Sequence, residues 1–198
     1  MVTPRLALVA VLVGIVNGIV GCSTNPAATT SVAGWPSPIS DEDRITWAAD
    51  EPLFVVIRKA CRTLDVYRYG ERIASFPAVF GLGGGDPKRY EGDLRTPEGL
   101  YSIIETRPHS RWGHFFLLDY PNSGDQYHYQ AALNGGEIPL RDGSYPGMGG
   151  AVGIHGTDKP DLNRRGVDWT WGCISLSNPD MDQLASLVSV GTPVLIED

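Results

Sequence analysis

Short runs of β-branched and aromatic residues, bounded by glycine, proline and polar residues, constrain the fold of this chain more than any other sequence feature. They occupy the region from residue 52 to the C-terminus, and runs of this length and composition are typical of β-strands. The predicted strands are 53–57, 64–69, 73–80, 100–106, 115–119, 151–155, 174–176 and 193–197. We therefore predict a mainly β domain over residues 52–198, whose first turn contains Cys61.

Two segments carry helical signals instead. Asn178-Pro179-Asp180 combines a capping residue, a proline suited to the first turn and an acid near the positive end of the helix dipole. We expect this helix to run to about Val190. A weaker signal predicts a short helix over 125–133, ended by Asn134-Gly135-Gly136. The domain should therefore have one or two short helices.

Two other segments are predicted to be loops. The glycine-rich segment 81–87 follows a strand, but residues 88–99 after it are polar and contain Pro97. A nucleotide-binding loop requires a helix there, so a surface loop is the preferred interpretation over phosphate binding. Residues 157–170 have no regular pattern, and loops of this length tend to be functional or disordered.

The first 22 residues have the form of a secretory signal. An apolar stretch of fifteen residues, 6–20, follows Arg5 and is shorter than the ~20 residues that a membrane-spanning helix needs. Gly21-Cys22 after it resembles the lipobox of bacterial lipoproteins, which implies removal of residues 1–21 and lipidation of Cys22. Ser23 then favours the outer membrane, on the periplasmic side of the cell envelope. An uncleaved membrane anchor is the alternative.

The composition separates a tether from a single domain. Residues 23–38 are uncharged and rich in Ser, Thr, Ala, Gly and Pro, which is typical of a flexible linker. We therefore predict the lipidated cysteine and tether over 22–51 and one globular domain over 52–198. The formal charge of the chain is −7, which argues against a nucleic-acid partner.

Cys173 and His155 are the candidate catalytic pair. The thiolate is the nucleophilic form of cysteine, and a nearby histidine can take the thiol proton. His155 is expected at a strand end eighteen residues before Cys173, and Gly172 lets a substrate carbonyl approach the backbone N–H groups. Each residue alone is more often structural, and a disulfide between Cys61 and Cys173 is a further alternative.

Four motifs surround this pair in a fixed order. They are Gly92-Asp93-Leu94-Arg95-Thr96-Pro97-Glu98-Gly99-Leu100-Tyr101, Asp119-Tyr120-Pro121-Asn122 followed by Asp125, Ile154-His155-Gly156-Thr157, and Gly172-Cys173-Ile174 with Asn178 beyond it. Together they resemble the YkuD-type L,D-transpeptidase catalytic domain of bacterial cell-wall enzymes, over about 52–198. Histidine precedes cysteine here, whereas papain-like and NlpC-like peptidases have the cysteine first.

The resemblance implies a β-sandwich-like fold and a defined chemistry. Cys173 would attack the amide carbonyl of the third residue in a peptidoglycan tetrapeptide stem and release D-Ala. His155 would be the general base, oriented by the backbone carbonyl of Gly156, and the N–H groups of Gly172 and Cys173 would form the oxyanion hole. The family implies no cofactor and no metal, and His109, His114 and His128 lack neighbours at metal-ligand spacing.

Two positions depart from the family pattern. Trp171 stands where a second histidine commonly precedes the Gly-Cys pair, and Ser175 stands where an arginine often follows it. Trp171 would donate to substrate or wall the acyl pocket, with core packing as the alternative. Arg95, Thr157 and Ser175 are the other candidate substrate-binding residues. Further candidates to replace the missing arginine are Lys159, Arg164 and Arg165.

These departures leave the acceptor of the acyl group open. An amine on another stem would make the protein a transpeptidase, and a lysine-bearing lipoprotein would make it a tethering enzyme. Water would make it an L,D-carboxypeptidase or an amidase that releases peptidoglycan-attached protein. A lipoprotein that binds peptidoglycan without turnover is the alternative outside the enzymes, and the presence of both His155 and Cys173 argues against it.

Overall fold

A computed structural model describes residues 52–198, and the predicted signal peptide, lipidation site and tether lie outside these described residues. The eight strands are β1 (Phe54–Arg58), β2 (Thr63–Arg68), β3 (Glu71–Pro77), β4 (Gly99–His109), β5 (Gly113–Leu118), β6 (Gly153–His155), β7 (Ile174–Ser175) and β8 (Pro193–Glu197). The three helices are α1 (Ser123–Asn134), α2 (Pro160–Arg164) and α3 (Asn178–Leu187). The predicted mainly β class is confirmed, with three short helices rather than one or two.

The strands form one curled sheet in the order β3-β2-β1-β8-β4-β5-β6-β7. Neighbours are antiparallel except for the parallel pairs β1 with β8 and β6 with β7. Strand β4 bends the sheet, because its first residues pair with β8 and its later residues pair with β5 across a register shift between Ile103 and Glu105. The bend brings β6 and β7, which carry the candidate catalytic residues, to one end of the sheet.

The main core lies on one face of this curled sheet. Alternate residues of β1 show why: Val55 and Ile57 point into the main core, whereas Phe54 and Val56 pack with Leu195 in a smaller cluster on the other face. Helix α3 covers the main core with Met181 and Leu184, both fully buried. The site end of the sheet is therefore attached to a well-packed support.

Helices α1 and α3 begin near their predicted local signals. Helix α1 begins with a capping box in which Asn122 and Asp125 bond each other's backbone N–H groups. Helix α3 is capped by Ser177, which accepts from the Asp180 N–H, so the prediction of Asn178 as the cap is wrong by one residue. The Asn178 side chain instead bonds the backbone of Thr157, next to the candidate site.

The predicted loops are found with one change. Residues 81–87 contain no helix or strand, as predicted. The segment 157–170 is not wholly irregular, because it contains the short helix α2. Pro160 and Asp161 lie in the first turn of this helix, where both residue types are favourable. None of the helices in residues 52–198 has the length and apolar character needed to cross a membrane.

Candidate active site

His155 ends strand β6 between two neighbouring strands. It pairs with Phe115 of β5 and with Ser175 of β7, and it is only 1% exposed. Its Nδ1 lies 2.6 Å from the carbonyl oxygen of Gly156. A carbonyl can only accept, so Nδ1 carries the hydrogen and Nε2 is left with the free lone pair of a base. The expected contact between the imidazole and the Gly156 carbonyl is therefore present.

Aromatic rings enclose this imidazole. Trp112, from the β4–β5 turn, stacks on it with ring centroids 4.1 Å apart and an interplanar angle of 19°. Phe115 stacks at 6.0 Å, and Trp169 presents its edge at 5.7 Å. The Trp112 indole N–H donates to Asp158, which also pairs with Arg111. These contacts determine the position and the plane of the ring.

Burial also decides the charge of the histidine. Removal from water lowers the pKa of His155 to about 4, and the hydrogen bond to the Gly156 carbonyl offsets this only in part. The imidazole is therefore neutral at neutral pH. It is available to accept a proton rather than already holding one.

Cys173 lies in the turn before β7 as a free, half-buried thiol. The alternative disulfide with Cys61 is therefore wrong. The thiol Sγ donates to the carbonyl oxygen of Ala151 at 3.6 Å. Burial raises the pKa of the Cys173 thiol, and a hydrogen bond from the Gly153 backbone offsets part of that rise. At neutral pH the resting pair is consequently a thiol and a neutral imidazole, not a thiolate and an imidazolium.

Thr170 shapes the turn that presents the cysteine. Its hydroxyl donates to the Cys173 carbonyl at 2.7 Å and accepts from the Gly172 N–H at 3.2 Å. Gly172 has φ +127°, and a Cβ there would lie 2.6 Å from the carbonyl oxygen of Arg95, so only glycine fits. Because its N–H is already bonded to Thr170, Gly172 could serve in an oxyanion hole only if that bond were replaced.

A second layer of polar residues holds the Gly156 carbonyl and its neighbours. Ser175 is completely buried and donates to the Gly156 oxygen at 3.1 Å. Thr157 is also buried, and the Asn178 side chain bonds both its N–H and its carbonyl, at 2.7 and 3.0 Å. Thr157 and Ser175, predicted to bind substrate, are therefore both buried and do not line the cavity, and their polar groups bond the protein itself.

Of the other two predicted substrate-binding residues, Trp171 lines the cavity and Arg95 does not. Trp171 is 80% exposed and lines the cavity, so the alternative of core packing is wrong. The Arg95 guanidinium pairs with Asp86 at 3.0 Å and bonds the Gly83 carbonyl, outside the cavity. Arg95 contributes to the site only through its backbone carbonyl, which lies against Gly172.

Cys173 and His155 face a common cavity of about 850 Å³. Its walls come from residues 88–94, the β4–β5 turn, the segment leading into β6 and the turn before β7. Besides the candidate pair, the lining includes Lys88, Glu91, Arg111, Trp112, Arg141, Lys159, Trp169, Thr170 and Trp171. Of the predicted arginine replacements only Lys159 lines it, whereas Arg164 is exposed and pairs with Asp161.

Sequence patterns missed several of these residues. Trp112, Arg111, Asp158, Thr170 and Arg141 belong to none of the four ordered motifs. Polar and aromatic residues in turns give no periodic signal. Their roles appear only when the strands bring the turns together.

The comparisons with known proteins agree with this fold. A sequence model of the L,D-transpeptidase catalytic domain, YkuD, matches residues 51–196. The chain therefore belongs to the L,D-transpeptidase catalytic domain family, a family of enzymes of peptidoglycan modification.

Individual relatives match over shorter stretches. "Putative L,D-transpeptidase YafK" of Escherichia coli K12 is 35% identical over 83 residues, which is 39% of this chain and 34% of that protein. The helical cell shape determining protein Pgp2 of Campylobacter jejuni superposes with a TM-score of 0.52 and 22% identity over 81% of this chain and 55% of Pgp2. Bd1075 of Bdellovibrio bacteriovorus has a TM-score of 0.49 and 27% identity over 74% of this chain and 48% of Bd1075. The chain thus spans about a third of YafK.

Proposed function

We propose that this domain is a cysteine-dependent peptidoglycan L,D-transpeptidase with Cys173 as nucleophile and His155 as general base. The observation that carries the proposal is the convergence of the free thiol and the buried imidazole on one cavity, with Nδ1 held by the Gly156 carbonyl. That hydrogen bond selects the tautomer whose Nε2 can accept a proton. The substrate is a tetrapeptide stem, which the family membership supports.

The neutral resting pair defines the order of proton transfers. The thiol proton passes from Sγ to Nε2 of His155 as Sγ attacks the carbonyl carbon of the third stem residue. The imidazolium then protonates the leaving amine, the bond to D-Ala breaks, and a thioester remains on Cys173. An acceptor amine attacks the thioester carbonyl and gives a proton to His155, the C–S bond breaks, and the imidazolium returns a proton to Sγ to regenerate the thiol. Because the thiol donates its hydrogen to the Ala151 carbonyl, the S–H bond must rotate towards the imidazole before the attack.

The oxyanion that forms needs donors. The Cys173 N–H is the first candidate, because the Gly172 N–H already donates to Thr170. If Gly172 also serves, its bond to the Thr170 hydroxyl must lengthen during the reaction. Replacement of Thr170 by valine, which removes the competing acceptor and keeps the shape, would then change the acylation rate.

The test uses the full chain with disaccharide-tetrapeptide muropeptides and mass spectrometry, beside Cys173→Ala. Cys173-dependent loss of D-Ala with dimeric products is the expected result. Loss of D-Ala with monomers alone would instead establish an L,D-carboxypeptidase. If neither appears, release of peptidoglycan-attached protein is the next assay, and a lack of Cys173 dependence there would leave the binding-only alternative. A carbapenem should add its mass to Cys173 and leave the Cys173→Ala variant unmodified.

We further propose that the enzyme is a lipoprotein of the cell envelope, attached through Cys22 and facing the periplasm, with the outer membrane as its destination. The support is the signal-like segment before Cys22 together with the envelope substrate of the family. A lysine-bearing lipoprotein remains a candidate acceptor. Metabolic labelling with a radioactive fatty acid should label the chain and not a Cys22→Ala variant, and label retained in the variant would contradict the proposal.

A further inference from the structure

The cavity is cationic although the chain as a whole is acidic. Four cationic side chains line it, Lys88, Arg111, Arg141 and Lys159, against the single carboxylate of Glu91. The formal charge of the chain is −7, so this concentration of positive charge is local. A cavity of this kind attracts an anionic ligand, and the stem peptide of the proposed function is one, so the inference below rests on that function.

Two of the four cations are already neutralised. Lys88 pairs with Asp93 at 2.8 Å, and both side chains are buried. Arg111 pairs with Asp158, and its hydrogen bond lowers the pKa of that carboxyl. These two cations have structural partners and hold the cavity walls in place.

The other two, Arg141 and Lys159, have no carboxylate within ion-pair distance among residues 52–198. Each lies over an aromatic ring instead. The Arg141 guanidinium carbon is 5.4 Å from the ring centre of Tyr90, and Lys159 Nζ is 4.6 Å from that of Trp169. A ring face restrains a cation without cancelling its charge, so both remain able to bind an anion.

The two cations are held by different segments of the cavity wall. The Arg141 guanidinium donates to the Gly92 carbonyl at 3.4 Å, and the same segment presents the Arg95 carbonyl to Gly172, the residue before Cys173. Lys159 follows His155 by four residues, and its partner ring, Trp169, lies edge-on against the imidazole. One charge is therefore associated with the thiol wall and the other with the imidazole wall.

The chemistry assigns a carboxylate to each side. The leaving amine takes its proton from the imidazolium, so the released D-amino acid must lie beside His155. Its terminal carboxylate then comes close to the wall that His155, Trp169 and Lys159 form. The acyl part of the donor stays on the thiol. We propose that Lys159 binds the carboxylate of the leaving D-amino acid and that Arg141 binds a second carboxylate, on the side chain of the third stem residue. Together they make the enzyme selective for donors in which both carboxylates are free.

The experiment compares three synthetic tetrapeptide donors with diaminopimelate at the third position: both carboxylates free, the C-terminus amidated, and the third-residue side chain amidated. We measure kcat and KM for D-amino acid or D-amino amide release, and the mass of the Cys173 thioester. The wild type should lose about tenfold or more in kcat/KM with each amidated donor, mostly in KM, because each amide removes one charge-assisted hydrogen bond.

The variants test the assignment. Lys159→Gln should no longer discriminate against the amidated C-terminus but should keep its preference at the side chain, and Arg141→Gln should show the opposite pattern. Arg164→Gln is the matched control, because it removes an exposed charge five residues further along the chain, outside the cavity. It should behave as the wild type.

The outcomes separate this inference from the proposed function. An active wild type that treats all three donors alike, or a Lys159→Gln enzyme that keeps full discrimination at the C-terminus, overturns the inference and leaves the proposed function standing. A wild type that forms no thioester with any donor overturns both.

Discussion

The buried imidazole of His155 should make the stability of this domain depend on pH in a way that can be isolated. Its pKa is about 4 in the folded protein, because burial disfavours the charged form, against about 6.5 in an unfolded chain. As the pH falls below about 6.5, the unfolded state binds a proton that the folded state does not. The free energy of unfolding therefore decreases until the pH reaches about 4, below which both states are protonated.

The size follows from the difference between these two pKa values. A difference of roughly 2.5 units at about 1.4 kcal/mol per unit corresponds to about 3 kcal/mol, fully present above pH 7 and fully lost below pH 4. Other groups also titrate in this range. The matched perturbation is therefore His155→Gln, which removes the titrating group and retains a polar side chain of similar length.

Urea denaturation of both proteins at intervals between pH 7.5 and pH 4 measures the effect. The stability difference between wild type and variant should shrink by about 3 kcal/mol over this range, since contributions of the carboxylates cancel. An NMR titration of the His155 ring should give a midpoint near 4. Parallel stability curves, or a midpoint near 6.5, would refute the assignment of a desolvated neutral imidazole.

Three further predictions concern the packing around the site. Trp112→Leu should lower the rate of Cys173 acylation about tenfold while the circular dichroism spectrum stays unchanged, because the stacked ring that orients the base is lost; an unchanged rate would remove Trp112 from the positioning of the base. Gly156→Ala should destabilise the fold by about 2 kcal/mol or more, since the new Cβ would lie 2.2 Å from the Trp112 carbonyl, whereas Gly147→Ala, which meets nothing within 4 Å, should be nearly neutral in thermal melts. Asp93→Ala should cost about 3–5 kcal/mol in urea, because it leaves the buried charge of Lys88 without a partner, and a loss below about 1 kcal/mol would contradict that reading.

Much of the architecture was predictable because it depends on local patterns. The β-branched runs determine strands wherever alternate residues must be buried, and β1 illustrates this with two opposite faces in two clusters. The start of α3 was predicted to within one residue from its proline and acid. The candidate pair was recognised from ordered motifs, which need no knowledge of geometry.

The surroundings of the pair were not predictable, because they depend on which strands are neighbours. Trp112 stacks on His155 only because β5 pairs with β6 in the register that sets Phe115 opposite His155. Nothing in either local sequence specifies that register. The same holds for Ser175, which β6–β7 pairing places behind the imidazole rather than in the cavity.

The sequence by itself therefore determined the mainly β class, the positions of the longer elements and the choice of Cys173 and His155 as the candidate pair. Periodicity and motif order are properties of neighbouring residues. Only the tertiary structure decided that the imidazole is buried and neutral, that Trp171 is exposed, and that Arg141 and Lys159 share a cavity with the thiol. Burial, charge and distance are set by contacts between segments far apart in the chain, and those contacts exist only after the sheet has curled and its turns have met.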